Sequence, residues 1–182
     1  MQRVHVTGNA GVGKTTAAYK LGLLLGLDVV SLDSIVWQPG WRKTPADERH
    51  ILETTLAARS SWVIDGVSAH IRSSADTVVF LDYPRRVALF GCLRRNWRYL
   101  FRSRPGLPEQ CPEILIIPRL LRLVWRFPKH VRPQILDYFE SPGSAPRLVH
   151  VRSRRELEAY LDGLTSAKAC DRSARSGRDR TG

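Results

Sequence analysis

The stretch Gly8-Asn-Ala-Gly-Val-Gly-Lys-Thr-Thr16 constrains this chain more than any other. It matches G-x-x-x-x-G-K-[ST] without a gap, through Gly8, Gly13, Lys14 and Thr15. Glycines at such positions let the backbone turn tightly, so that successive N–H groups face an anion. A helix starting there adds the positive end of its dipole. Val4 and Val6 alternate like a strand ahead of the loop, and Thr15, Ala17, Ala18, Leu21, Leu24 and Leu25 form one helical face behind it. Gly26 is placed to end that helix. The order strand, glycine loop, helix is the context the motif needs, so Gly8, Asn9, Ala10, Gly11, Val12, Gly13, Lys14, Thr15 and Thr16 are expected to cradle the phosphates of ATP. Lys14 would reach the β- and γ-phosphates, and the Thr15 hydroxyl would hold Mg²⁺.

The 182 residues suffice for one domain with a proper core. No apolar run approaches a membrane span of about 18 residues, so no membrane partner is expected. The start MQRVHVTG lacks the apolar core of a signal peptide. Cys92, Cys111 and Cys170 are unevenly spaced and form no C-x-x-C pair. A reducing cytoplasm is the compartment that fits.

Charge is unevenly spread. The net charge is +12, and residues 85–132 alone carry twelve basic side chains against two acidic ones. All but Lys129 of those twelve are arginines, whose forked guanidinium suits bidentate grip on phosphate oxygens. A solvated basic helical face would account for part of the excess.

Five short strands alternate with helical segments. They are read at Val4–Thr7, Asp28–Asp33, Trp62–Gly66, Thr77–Asp82 and Arg147–Val151. Thr44 and Pro45 are placed to start a helix running to about Ser60. Helices are also expected from Pro84 to about Arg102, over Ile114–Phe127, over Pro133–Phe139 and from a Ser153–Glu156 capping box to Leu164. Residues 166–182 are small, polar and arginine-dotted, and read as a disordered basic tail. The pattern implies an α/β fold, a five-stranded doubly wound parallel sheet, over residues 1–165. Ligands on such sheets gather at the C-terminal strand ends, where Asp33, Asp65 and Asp82 fall.

The segments GNAGVGKT, SLDSIVWQPGW, WVIDG, ADTVVFLDYPR, CPE, WRFP and VRSRRELEAYL, in that order, resemble the adenylate-kinase-like P-loop NTPases of the DNA topology modulation, or flagellar regulator, family. The resemblance covers Met1 to Leu164. It implies a fold of the nucleoside and nucleotide kinase type, with ATP and Mg²⁺, an acceptor-binding region at about 34–60 and a helical arginine-rich lid at about 85–132. Two positions depart from the family pattern. Val67-Ser68 stand where an Asn-Tyr pair usually follows Asp-Gly, and Gly91 stands in a region that often carries a further arginine.

Phosphoryl transfer asks a protein mainly for positioning and charge neutralisation. Lys14, Arg94 and Arg95, with Arg98 next, are the candidate charge-neutralising groups. Asp33 could orient an acceptor hydroxyl or take its proton, or simply cap a turn. Asp65 could hold water on Mg²⁺, or contact the acceptor, and Asp82 could serve the same metal or start a turn. Arg72 is a candidate for an acceptor phosphate, Trp37 and Trp41 for stacking or packing, and Arg152 for contact with the adenine. A nucleic-acid-binding module using ATP as a switch competes on charge alone, but no helix-turn-helix, RNA-binding or OB signature accompanies it. An inactive kinase relative remains a further alternative. A GTPase would need an N-K-x-D segment, which is absent.

Overall fold

The computed structural model describes residues 1–98, 117–140 and 146–178. The elements follow in the order β1 (Arg3–Gly8), α1 (Lys14–Leu25), β2 (Val29–Ser31), α2 (Asp33–Val36), β3 (Trp37–Gln38), β4 (Arg42–Lys43), α3 (Ala46–Ala57) and β5 (Trp62–Asp65). Then come α4 (Ala69–Ser74), β6 (Thr77–Leu81), α5 (Arg85–Arg98), α6 (Ile117–His130), α7 (Arg132–Glu140), β7 (Arg147–Val151) and α8 (Arg154–Arg178). Five strands form one parallel sheet in the order β2-β5-β1-β6-β7, and β3 and β4 make a separate two-stranded hairpin. The expected five-stranded parallel α/β sheet is present, with β1 at its centre.

The strands read as apolar runs because both faces are covered. On one face Val4, Val6, Val63, Val79 and Leu81 pack with Leu21 of α1, Cys92 of α5, Val124 of α6 and Leu161 of α8. On the other, Trp62, Ile64 and Val78 meet Leu56 of α3 and Ile71 of α4, while Phe80 meets Phe127 and Ile135. Placing β1 between β5 and β6 brings its C-terminal loop to the crevice where the chain's crossovers diverge.

Several local expectations are corrected. Asp33 opens α2 rather than ending β2, because Leu32 N–H bonds to Asp65 O and Val36 N–H to Leu32 O, which turns the chain out of the sheet. Thr44 does not cap α3. Its N–H bonds to Val36 O, its side chain is buried, and Pro45 takes the cap position without a side-chain bond. Pro128 lies inside α6 instead of ending it. The final helix runs on to Arg178 where a disordered tail is expected from 166. The added turns contain no proline, and Lys168 Nζ donates to Leu24 O at 2.6 Å, satisfying a carbonyl at the end of α1. The capping box at the start of α8 forms as read: Glu156 N–H donates to Ser153 Oγ at 3.2 Å, and Arg152 N–H to Glu156 Oε2 at 2.8 Å.

His5, at the centre of β1, is fully buried, and its ring lies 3.2 Å from Gly66 O through Nε2. Burial first, and then the neighbouring Arg72 guanidinium, lower its pKa from 6.5 to about 3. The imidazole is therefore neutral and donates Nε2–H to that carbonyl. The unfolded chain takes up a proton that folding refuses, so stability declines as pH falls from 6.5 towards 3. Denaturant unfolding at pH 7.5 and 5.5 should show a loss of about 1.4 kcal/mol from this residue, absent in His5→Gln.

Candidate active site

A cleft of about 840 Å³ opens at the C-terminal ends of the central strands. Its floor is the loop between β1 and α1. Gly8, Gly11 and Gly13 take φ values of 150°, 79° and 93°, which other residues rarely adopt. The loop is fixed from outside. A methyl group on Gly8 would strike Leu81 O, and one on Gly11 would strike Ala88 O and Cys92 Sγ, both on β6 or α5. Gly91 of α5 packs its bare Cα against the Gly11 carbonyl. An arginine at this point has no space, so the departure from the family pattern at Gly91 is a close backbone approach.

Asn9 ties the loop to a third element. Its Nδ2 donates to Val124 O of α6 at 3.0 Å, and its Oδ1 accepts from Ala10 N–H at 2.8 Å. Lys14 Nζ donates to Asn9 O at 2.9 Å, folded back along the loop. The first helical bond of α1 runs from Ala17 N–H to Gly13 O, so the first-turn amides point out of the helix end. Gly8, Ala10, Gly11, Gly13, Lys14, Thr15 and Thr16 all line the cleft. Val12 does not: it is buried in the core beneath the loop, so only its backbone serves the turn.

Asp65 ends β5 with 3% exposure. Thr15 Oγ1 donates to its Oδ2 at 2.6 Å, while its buried Oδ1 has no hydrogen-bond partner. A buried carboxylate oxygen left without a donor is costly unless a cation or its water meets it. The hydroxyl, the carboxylate and the adjacent phosphate-type loop are the oxygen donors that Mg²⁺ takes, and the residues present fit that ion. Asp33 lines the same cleft from the start of α2.

Asp82, the third acid, does not join them. Arg132 Nε donates to both its oxygens at 2.9 Å, and His150 Nε2 lies 2.9 Å from Oδ2. Burial alone would raise its carboxyl, but those hydrogen bonds hold it below the usual carboxylate range. It fastens the start of α7 to the β6–β7 edge. Arg72 is likewise diverted: only 7% exposed, its guanidinium stacks 5.1 Å from the Tyr138 ring centre. Ser68 caps α4 by accepting from Ile71 N–H at 3.3 Å and leaves Val67 on the cleft wall. That local cap is what the Val67-Ser68 departure produces.

The walls are arginines. Arg94 and Arg95 of α5 line the cleft as expected, and Arg119, Arg122 and Arg126 of α6 face them. The α6 set has a sequence signal in its spacing of three and four, the complement of Leu120, Val124 and Phe127 on the buried side. The side chain of Arg98 lies outside the described residues. Arg152 is exposed in a separate shallow pocket beside Asp82, and Arg154 is the residue after β7 that reaches the main cleft. Sequence spacing alone could not choose between them, because the capping box that turns α8 decides which side chain points inward.

Ala88 and Cys92 of α5 and Val124 of α6 are fully buried, and residues 99–116 of the expected lid lie outside the described residues. Gly91→Ala should push α5 off the loop. Expected is at least a tenfold weaker affinity for ATP, measured by calorimetry, with the far-ultraviolet spectrum of a folded protein retained.

No family model matches the chain. A protein of Pyrococcus furiosus named "Putative adenylate kinase" is 29% identical over 92 residues, 47% of this chain and 51% of that protein. The chain's match thus spans about half the length of this curated relative. Among solved structures, shikimate kinase from Acinetobacter baumannii in complex with shikimate superposes with a TM-score of 0.56 at 18% identity, covering 93% of this chain and 94% of the other. A gluconokinase from Sinorhizobium meliloti 1021 gives 0.52 at 17%, covering 93% and 97%. Shikimate kinase from Bacteroides thetaiotaomicron gives 0.52 at 15%, covering 92% and 98%. With its central β1, its glycine loop and its five parallel strands, the chain has the P-loop kinase fold of these shikimate kinases and gluconokinase.

Proposed function

We propose that the protein is an ATP-dependent phosphotransferase of the small-molecule kinase type. One observation carries the reading: a P-loop with its Thr15–Asp65 pair shares one cleft with arginines from two helices. In-line transfer breaks the bond between the terminal phosphorus of ATP and its bridging oxygen, releases ADP and joins that phosphorus to an acceptor oxygen. Charge spreads over the equatorial oxygens on the way, and the chain must meet it with donors already in place.

The loop amides and Lys14 bind the phosphates, with Lys14 leaving the Asn9 carbonyl to do so. Arg94 and Arg95 on one wall and Arg122 and Arg126 on the other neutralise the transferring group. Arg154 stands at the nucleotide end. Thr15 and Asp65 would hold Mg²⁺, which when bound supplies further charge neutralisation. Asp33, at the acceptor side, orients the attacking hydroxyl and takes its proton where the acceptor is an alcohol. That these arginines share one cleft with the P-loop supports this over a nucleic-acid module. Membership of the topology modulation family, suggested by the motif order, adds no chemistry of its own.

The test is ATP consumption with Mg²⁺ across nucleoside monophosphates, hydroxy acids and small alcohols. Lys14→Ala should reduce acceptor-dependent turnover by about 100-fold or more, as should Asp65→Asn, which in addition shifts the Mg²⁺ requirement upward. Turnover that survives Lys14→Ala would sink the proposal.

A further inference from the structure

One part of the cleft lining comes from the β3–β4 hairpin and the start of α3. Lys43 is the register partner of Trp37, so the two share one face of that hairpin. Arg119 reaches across from α6 and sits 5.1 Å over the Trp37 ring. Trp41 meets Trp37 edge to face, with centroids 5.3 Å apart. It holds φ of 58°, a left-handed conformation that a bulky side chain adopts only when its surroundings impose it. Lys43, Arg49, Trp37, Trp41 and Arg119 all line the cleft. Two cations thus surround a strained aromatic corner, with Arg49 on the adjacent wall.

Negative charge is what the corner lacks. Among the described residues nine cationic side chains line the cleft, against the acids Asp33 and Asp65. Mg·ATP brings about two net negative charges and occupies the loop end. Among the described residues the Lys43 ammonium has no acidic partner. Arg49 is only loosely matched: Glu53 lies 3.7 Å from its Nε and also accepts from Ser68 Oγ at 2.7 Å. A neutral polyol would leave these cations lining one cleft with no anion to meet them.

We infer that the acceptor carries an oxyanion, a phosphate or a carboxylate, gripped by Lys43, Arg49 and Arg119, with its body against the Trp37–Trp41 corner. This rests on the phosphotransferase reading above. The oxyanion positions the acceptor, and a second oxygen, near Asp33, forms the new bond to phosphorus as ADP leaves. The proton of an attacking hydroxyl passes to Asp33.

The experiment is calorimetric titration of inorganic phosphate into protein saturated with Mg²⁺ and the non-hydrolysable analogue AMP-PNP, in wild type, Lys43→Gln/Arg49→Gln and Arg119→Ala. All three side chains border solvent, and AMP-PNP binding reports separately on the loop. Expected is one further phosphate site in the wild type, weakened at least tenfold in both variants. Failure of AMP-PNP to bind overturns the phosphotransferase reading and this one with it. Normal AMP-PNP binding without a second phosphate site, or with one unchanged in the variants, overturns this inference alone. Matched pairs then separate the sources. AMP binding at least tenfold more tightly than adenosine assigns a nucleotide phosphate, and gluconate more tightly than glucose assigns a hydroxy acid. Equal binding within both pairs overturns the proposal.

Discussion

The site depends on the contact between the P-loop backbone and the α5 backbone, Gly11 against Gly91, with no side chain between them. Because the two chains touch through carbonyl and Cα, α5 can approach no closer and slide very little. That fixes the direction in which Arg94 and Arg95 leave the helix. The Asn9–Val124 hydrogen bond does the same for α6. The cations on both walls are thus attached directly to the loop they face. Charges held in place by such backbone contacts are the kind of arrangement that acts with most effect on a transferring group.

The acids are divided by what surrounds them. Asp65 keeps one oxygen for Thr15 and one without a donor, whereas Asp82, two strands across the sheet, spends both on Arg132 and His150. Both lie at strand ends, yet one faces ligand and the other closes the edge of the sheet. His5 supports the first of them from below. Held neutral by burial, it offers a hydrogen bond to the Gly66 carbonyl just beyond Asp65. Gly66 itself has no room for a side chain, because one would run into Leu32.

Much of this was legible in the order of residues. The glycine loop, the β1 alternation and the apolar β6 run identify elements whose local pattern and tertiary role agree. The place of Asp65 follows from the rule for strand ends, and Asp33, two residues past β2, shares its cleft. The hidden parts depend on long-range partners. Nothing near Asp82 in sequence announces Arg132, fifty positions away, and nothing near Arg72 announces Tyr138. The choice of Arg154 over Arg152 turns on the cap of α8, and the meaning of Gly91 turns on a loop 80 residues earlier. Thr44 misled for a local reason: it is buried, its N–H bonds to Val36 O, and α3 begins one residue later with Pro45 at the cap position.

The lopsided lining of the cleft also governs how ligands reach it. A concave, cation-lined mouth focuses its field outward, so that polyphosphates and other small anions are drawn in from beyond contact range. The same field keeps a shell of simple counterions inside before any ligand arrives, and each anionic group that docks must release part of it. Capture speed therefore becomes a property of the surrounding electrolyte as much as of the protein, falling as the Debye length shortens from about 30 Å at 0.01 M to about 8 Å at 0.15 M.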